Sequence, residues 1–216
     1  MKTGVLASGS GTNLQALIDA WKSGSLAPAE LVVVGANVAG CLALERAQKA
    51  GIETFTLSHK AFAVREDFDR ALVAELRSRG VELVVLAGFM RVLTGDFLDA
   101  FPLRVINIHP ALLPAFPGVH AQKQALDYGA KLAGCTVHFV DKGTDTGPII
   151  AQAAVPVLPG DDEDSLGRRI LGEEHRLLPA VVRAVASGQV SVEGRRVHVE
   201  PPKGLAEARL RSIGSV

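Results

Sequence analysis

The sequence predicts a single doubly wound α/β domain built on a mostly parallel sheet. Three observations carry that reading. The apolar runs at 31–34 and 83–87 are continuous rather than alternating, as in strands covered on both faces. Between the runs lie stretches whose apolar residues recur at helical spacing, and glycines such as Gly51 and Gly80 close those stretches as C-terminal caps do. With 216 residues and no Gly/Ser-rich or charged linker, the chain has one full-sized core to build.

Taken in order, residues 4–7 read as the first strand and 14–21 as a helix, with Leu14, Leu17, Ile18 and Trp21 on one face. The strand at 31–34 is followed by a helix at 42–50, a strand at 53–57, a helix at 65–79 and the strand at 83–87. A short helix at 95–100 precedes a strand at 105–109, and a helix at 121–128 precedes a strand at 134–140. The Gly- and Pro-punctuated stretch 141–148 is a long turn into a strand at 149–155. The last major helix spans 165–187, led by an acidic run at 161–164 that suits the positive end of a helix dipole. Residues 189–192 and 196–198, joined through Gly194, form a terminal hairpin. The domain thus covers 1–200, and 201–216 is a polar C-terminal tail.

Composition narrows the function. Hydrophobic residues make up 48% of the chain, and 23 Lys and Arg balance 23 Asp and Glu, so no net charge draws a nucleic acid. Mean hydropathy is +0.24, yet no apolar run reaches the ~20 residues a bilayer span needs. The N-terminus has one basic residue and a very short apolar run, unlike a signal peptide, which predicts a cytoplasmic protein. Cys41 and Cys135 are far apart in apolar surroundings and read as reduced core thiols. His109, His120 and His138 lack the spacing of metal ligands, so no metal is expected.

Chemistry concentrates at 105–109. Val105, Ile106 and Ile108 suit a buried strand, and Asn107 and His109 interrupt it two residues apart, which puts amide and imidazole on one face. Pro110 stops the strand, placing the pair at a strand's carboxyl end, where α/β sheets bind ligands. An Asn N–H can donate to a developing oxyanion, and a His can stabilise the same charge or move a proton, so the pair suits acyl transfer. Neither cysteine is nearby in sequence and there is no Gly-x-Ser-x-Gly elbow. The acyl group would therefore pass directly to an acceptor amine. Asp145, between Gly143 and Gly147, is the carboxylate available to orient the imidazole, the glycines letting the backbone approach a ligand.

The second feature is the loop Ser8-Gly9-Ser10-Gly11-Thr12-Asn13 between the first strand and helix. Its backbone N–H groups and the helix dipole make an anion site, with Ser10, Thr12 and Asn13 as added donors or caps. No Gly-Lys-Ser/Thr follows, the third glycine of a dinucleotide fingerprint is absent at Leu14, and the second strand ends without a ribose-binding carboxylate. A single phosphate monoester fits; a tight turn with capping residues and no ligand is the alternative.

Four blocks together carry a family resemblance. Ser8-Gly9-Ser10-Gly11-Thr12-Asn13-Leu14-Gln15-Ala16, Leu86-Ala87-Gly88-Phe89-Met90-Arg91, Asn107-Ile108-His109-Pro110 with Ala111-Leu112-Leu113-Pro114-Ala115-Phe116-Pro117-Gly118, and Asp145-Thr146-Gly147-Pro148-Ile149-Ile150 occur in the order seen in glycinamide ribonucleotide formyltransferases. The chain resembles that family over nearly its whole length. The resemblance implies a Rossmann-like formyltransferase fold with a phosphate and ribonucleotide site in the N-terminal half and a folate site in the C-terminal half. It further implies transfer of formyl from 10-formyltetrahydrofolate, as co-substrate, to the primary amine of glycinamide ribonucleotide in purine biosynthesis, by a monomer or homodimer.

Carried over residue by residue, the resemblance makes Asn107, His109 and Asp145 the catalytic trio, with Asp145 supporting protonated His109. Gly11, Thr12 and Asn13 hold the phosphate and Glu174 the ribose. Met90, Arg91, Val92 and Leu93, with Val140 and Asp141 opening the 140–145 loop, wall the pterin pocket; Arg65 lies near the glutamate carboxylate and Arg104 borders the folate site. Leu171 stands where some relatives have a polar residue, and Thr146 where some have glycine. Two other readings share parts of the pattern. A formyltetrahydrofolate hydrolase resembles the Leu-Leu-Pro-Ala-Phe-Pro-Gly stretch, and a non-catalytic phosphate-binding module would keep the glycine loop without needing the trio.

Overall fold

In the computed structural model, which describes residues 1–200, seven strands form one sheet and two more a separate hairpin. The strands are β1 (Lys2–Ala7), β2 (Glu30–Ala36), β3 (Glu53–Thr56), β4 (Leu83–Leu86), β5 (Val105–His109), β6 (Leu132–Phe139), β7 (Ile149–Pro156), β8 (Val190–Glu193) and β9 (Arg196–Val199). The helices are α1 (Thr12–Lys22), α2 (Leu42–Lys49), α3 (Arg65–Ser78), α4 (Gly95–Ala100), α5 (Ala121–Tyr128) and α6 (Glu163–Ala186). In the sheet order β3-β2-β1-β4-β5-β6-β7, the pairs from β3 through β5 are parallel, and β6 runs antiparallel to both its neighbours. The sheet is therefore mostly parallel, as the continuous apolar runs predict. The tail at 201–216 lies outside the described residues.

Both faces of the sheet are covered. On one, Val5, Val34 and Val85 pack with Leu14, Leu17 and Ile18 of α1, Leu44 of α2 and Leu166, Ile170 and Leu178 of α6. On the other, Leu6, Val33 and Val84 pack with Phe68, Leu72 and Leu76 of α3 and Phe97 of α4. Successive residues of one strand thus enter opposite clusters, which is why β1 and β4 carry no polar alternation.

Two local differences from the sequence reading lie in the helices. Helix α6 starts two residues early, because Asp162 is the N-cap: its side chain accepts from the Ser165 amide and the Ser165 hydroxyl accepts from the Asp162 amide. A short 3₁₀ turn at His59–Ala61 follows β3, where no element was expected. The hairpin β8–β9 forms as predicted around Gly194.

What matters for the site is where the strands end. β1 is flanked by β2 on one side and β4 on the other, so the connections leaving their carboxyl ends diverge there and open a crevice. The glycine loop after β1, the 88–93 segment after β4 and His109 at the end of β5 all meet that crevice. Ser8 ties the first two together: its amide donates to the Gly88 carbonyl at 3.0 Å, and its hydroxyl accepts from the Met90 amide at 2.9 Å.

Candidate active site

Strand register builds the centre of the site. Asn107 pairs across β5–β6 with His138, and His109 with Thr136, so four polar side chains share one face of an otherwise apolar ribbon. His109, Thr136 and His138 are all buried. His138 Nδ1 is 2.8 Å from the Phe139 carbonyl, to which only an N–H can donate. In that tautomer Nε2 is an acceptor, and Asn107 Nδ2 donates to it at 3.2 Å. One amide N–H of Asn107 is thus anchored, and the anchor sets the direction of the other.

Asp145 closes on the pair from the 141–148 loop. Its Oδ2 lies 3.3 Å from His109 Nδ1 and accepts from the Gly118 amide at 2.8 Å; its Oδ1 is 3.7 Å from His138 Nε2. Burial acts to raise the Asp145 carboxyl and is outweighed by the Gly118 N–H and the neighbouring His109 ring, which hold it below the ordinary carboxylate range. A carboxylate whose folded value is depressed stabilises the fold above its unfolded value and loses that contribution as pH falls through the folded one. Asp145 therefore stays ionised through the neutral and mildly acidic range.

His109 has no idle nitrogen. Nε2 is 2.9 Å from the Phe116 carbonyl and Nδ1 faces Asp145, so both partners are acceptors. Only a doubly protonated ring donates to both. The 116–118 loop therefore touches two members of the trio, through Phe116 to His109 and through Gly118 to Asp145. Thr136 holds the start of the same loop, donating to the Ala111 carbonyl at 2.6 Å and accepting from the Leu113 amide at 3.0 Å.

The glycines beside Asp145 act differently from expectation. A Cβ on Gly147 would lie 1.8 Å from the Phe139 carbonyl, and one on Gly143 would lie 2.0 Å from Thr146 Oγ1. The close approach they permit is to the protein's own loop, not to a ligand, and the left-handed residue is Asp145 itself, with φ 55°. Asp141 Oδ1 spans the turn by accepting from Thr146 Oγ1 at 2.6 Å and the Gly143 amide at 3.1 Å. Arg195, at the tip of the β8–β9 hairpin, donates to the Thr146 carbonyl at 2.8 Å. Gly147→Ala should therefore displace Asp145: the expected result is at least about a 100-fold loss of turnover in a protein whose far-ultraviolet circular dichroism is unchanged. Turnover near that of the parent would show that the loop tolerates the clash.

The glycine loop is a cradle without side-chain caps. Gly11 is the N-cap of α1 at φ 68°, and a Cβ there would lie 2.7 Å from Ala43 Cα. Contrary to expectation, Ser10, Thr12 and Asn13 make no capping bond. Asn13 instead donates through Nδ2 to Glu174 Oε2 at 2.7 Å, leaving its buried Oδ1 without a partner. Burial raises the Glu174 carboxyl, and the Asn13 amide opposes the rise. The structure thus brings the predicted phosphate and ribose residues into direct contact.

On the other side of the crevice, side chains of Ser8, Arg65 and Asp69 fix the backbone of the 88–94 segment. The Ser8 hydroxyl holds the Met90 amide, Arg65 Nη2 donates to the Val92 carbonyl at 2.6 Å, and buried Asp69 accepts from the Thr94 amide at 2.6 Å. Met90 is 72% and Val92 53% exposed, an apolar shelf. Arg91 lies over the Phe68 ring at 6.0 Å, and its buried Nε has no partner. Val140 is half-buried against the α3–α4 cluster, and Asp141 is committed to its own loop.

Two expected folate residues are placed elsewhere. Leu93 is buried in the α3–α4 cluster, so its side chain is core, not pocket wall. Arg104 precedes β5 and reaches Met1 Sδ at 3.8 Å, at the amino ends of the parallel strands. Five residues of strand separate it from His109, about 16 Å at the usual rise. It does not border the crevice.

His138, the Phe116 carbonyl and the Gly118 amide were not identified as site groups in the sequence. His138 carried a usable signal, since Thr136 and His138 interrupt an apolar strand two residues apart just as Asn107 and His109 do. The backbone groups carry none. Cys135, on β6 beside Thr136, is no ready nucleophile: it is buried, and burial pushes its thiol up to about 12.

Comparison with known proteins adds an independent line. Residues 1–182 match the family model described as Formyl transferase. A phosphoribosylglycinamide formyltransferase of Escherichia coli (strain K12) is 43% identical over 209 residues, covering 94% of this chain and 97% of that protein. The trifunctional purine biosynthetic protein adenosine-3 of Drosophila pseudoobscura pseudoobscura is 50% identical over 209 residues, covering 96% of this chain. The chain spans only 15% of that protein's length. Among solved structures, glycinamide ribonucleotide transformylase 1 from Symbiobacterium toebii superposes with a TM-score of 0.91 at 52% identity, covering 93% of this chain and 94% of that one.

Proposed function

The chain belongs to the formyl transferase family, and from that premise we propose that it transfers the formyl group of 10-formyltetrahydrofolate directly to the primary amine of glycinamide ribonucleotide. The observation that carries the reading is the contact between His109 and Asp145 beside an anchored Asn107. The phosphate cradle on one side and the apolar shelf on the other bring two substrates to one strand end. The reading includes a cytoplasmic location, a monomer or homodimer, and no metal or nucleic acid partner. Among the described residues no helix is long and apolar enough to cross a membrane.

The residues present suit the folate. Met90 and Val92 offer apolar surface for a flat ring, and the buried Nε of Arg91 is a donor in want of an acceptor. Arg65 stands at the rim near the carboxylates of the glutamate tail. The folate supplies a formyl group on nitrogen. What the protein supplies is orientation and charge. The free N–H of Asn107 points at the formyl oxygen as it becomes an oxyanion. The Nε2–H of His109 exchanges the Phe116 carbonyl for that same oxygen. Because the new acceptor gains negative charge as the bond forms, the exchange favours the transition state over the ground state.

Proton accounting closes without a further group. A bond forms from the amine nitrogen to the formyl carbon, and the bond from that carbon to the folate nitrogen breaks. The attacking nitrogen loses one proton and the leaving nitrogen gains one, so Asp145 acts as a relay, through water, with no net change. The alternative reading, a hydrolase, has water in place of the amine. Formyl-folate consumption should therefore depend on glycinamide ribonucleotide, with one formylated amine per folate released. Equal consumption with and without the ribonucleotide would identify the hydrolase instead.

A further inference from the structure

We propose that Arg195, at the tip of the terminal hairpin, is a positioning residue for formyl transfer: by holding the carbonyl of Thr146 it fixes the loop that carries Asp145 against His109. The proposal rests on the reading of Asp145 as a member of the catalytic trio. Asp145 must hold its carboxylate 3.3 Å from His109 Nδ1 on a backbone at φ 55°, a left-handed conformation that a residue with a Cβ keeps only where its surroundings impose it.

Two groups grip the next residue. Asp141 Oδ1 accepts from Thr146 Oγ1 at 2.6 Å, and Arg195 Nη2 donates to the Thr146 carbonyl at 2.8 Å. Thr146 is thus held at its side chain and at its backbone, directly after Asp145. The two grips differ in kind. Asp141 belongs to the same loop and moves with it, whereas Arg195 comes from an element fixed elsewhere.

That element is anchored by its own sequence. Val190 pairs with Val199 and Val192 with Val197, and strand alternation puts all four on one face, packed against the core cluster under α1 and α6. β9 lies beside β7, and the Glu200 amide closes the base of the hairpin on the Gln189 carbonyl at 2.9 Å. At the other end Gly194, at φ 60°, takes the first place of a two-residue turn, where such a turn needs a glycine, and Arg195 takes the second. The valines on the core therefore set where Arg195 stands. Glu193, the hairpin's own carboxylate, faces His198 at 3.9 Å, and the Arg195 guanidinium reaches across to the catalytic loop. Thr146 and Arg195 are both exposed, so the bond contributes alignment more than stability.

The test uses the full chain and two independent readouts. Arg195→Met keeps the stem and removes the donor. In the formyl-transfer assay its kcat should fall about 5- to 20-fold, with KM for either substrate changed less than about twofold. Its thermal unfolding midpoint should stay within about 1 °C of the parent's. Arg195→Lys, which restores a charged donor, should recover most of the rate, and Arg196→Met, which removes one positive charge from the next residue, should leave it unchanged. In an Asp145→Asn background Arg195→Met should cost less than about twofold more, because both act through one carboxylate. The second readout needs no activity: tryptic cleavage after Lys142, exposed in the same loop, should be several-fold faster in Arg195→Met than in the parent and slow again in Arg195→Lys. Parent-like turnover, a loss carried by KM, a loss that Arg195→Lys does not recover, or losses that multiply with Asp145→Asn each overturn the proposal, as does a loop cleaved no faster. A parent that transfers no formyl while Arg195 still guards Lys142 overturns the reading of the trio instead, a different result from a loop that Arg195 does not hold.

Discussion

Asp145→Asn is expected to slow the chemical step about a thousandfold while both substrates still bind within a few-fold of the parent. The change keeps the shape of the side chain but removes the negative charge that faces His109, whose Nδ1 lies 3.3 Å away. It also leaves a neutral group where a proton relay is needed. Loss of the orienting carboxylate in a comparable His–Asp pair costs about 10⁴-fold. Here part of the effect is retained by the Phe116 carbonyl on Nε2. The loss should appear in kcat and in kcat/KM alike, as for an interaction made in the transition state. The parent's rate should fall in acid as Asp145 protonates, at a pH below the usual carboxylate range, because its carboxyl is held down. Near-normal turnover by Asp145→Asn would remove that residue from the mechanism.

Asn107→Ala should cost about 10²- to 10³-fold in kcat, the usual worth of one oxyanion donor. The companion change is more telling. His138→Ala removes the acceptor that holds Asn107 Nδ2 at 3.2 Å, so the amide keeps its donors but loses its aim. It should cost less than Asn107→Ala, and the double variant should be little worse than Asn107→Ala alone, because both act through one N–H. His138→Gln, which restores an acceptor, should recover part of the rate. Additive losses in the double variant would mean that His138 acts independently, through Asp145 Oδ1 at 3.7 Å.

Much of this architecture is legible in the chain because burial on both faces leaves a strong mark. The run Leu83, Val84, Val85, Leu86 could only be a central strand, and it is flanked by β1 and β5. Asn107 and His109 stood out because a polar residue in such a run costs free energy unless it has a partner or a purpose. His138 bears the same mark, but reading it as an anchor required the register that sets it opposite Asn107. That register is a long-range fact. The Phe116 carbonyl and the Gly118 amide were out of reach because a backbone group carries no residue identity. Gly147 was recognised as permissive, but what it lets approach is the Phe139 carbonyl, which follows only from the turn's path. Arg104 was misplaced for the opposite reason. It is near His109 in sequence, but five residues of strand carry it to the other end of the sheet. The Arg195 bridge joins the terminal hairpin to the Asp145 loop across 49 residues of sequence, which no local pattern reports.

The central claim is that formyl passes straight from folate to amine at Asn107, His109 and Asp145, with no acyl-protein between. Rapid-quench single-turnover mixing with formyl-labelled folate tests it most directly. With glycinamide ribonucleotide present, the label should appear on the amine in one phase, at the rate at which it leaves the folate, and none should be acid-stable on the protein. Without the ribonucleotide the label should stay on the folate. Label that first accumulates on the protein and then decays into product would contradict the account.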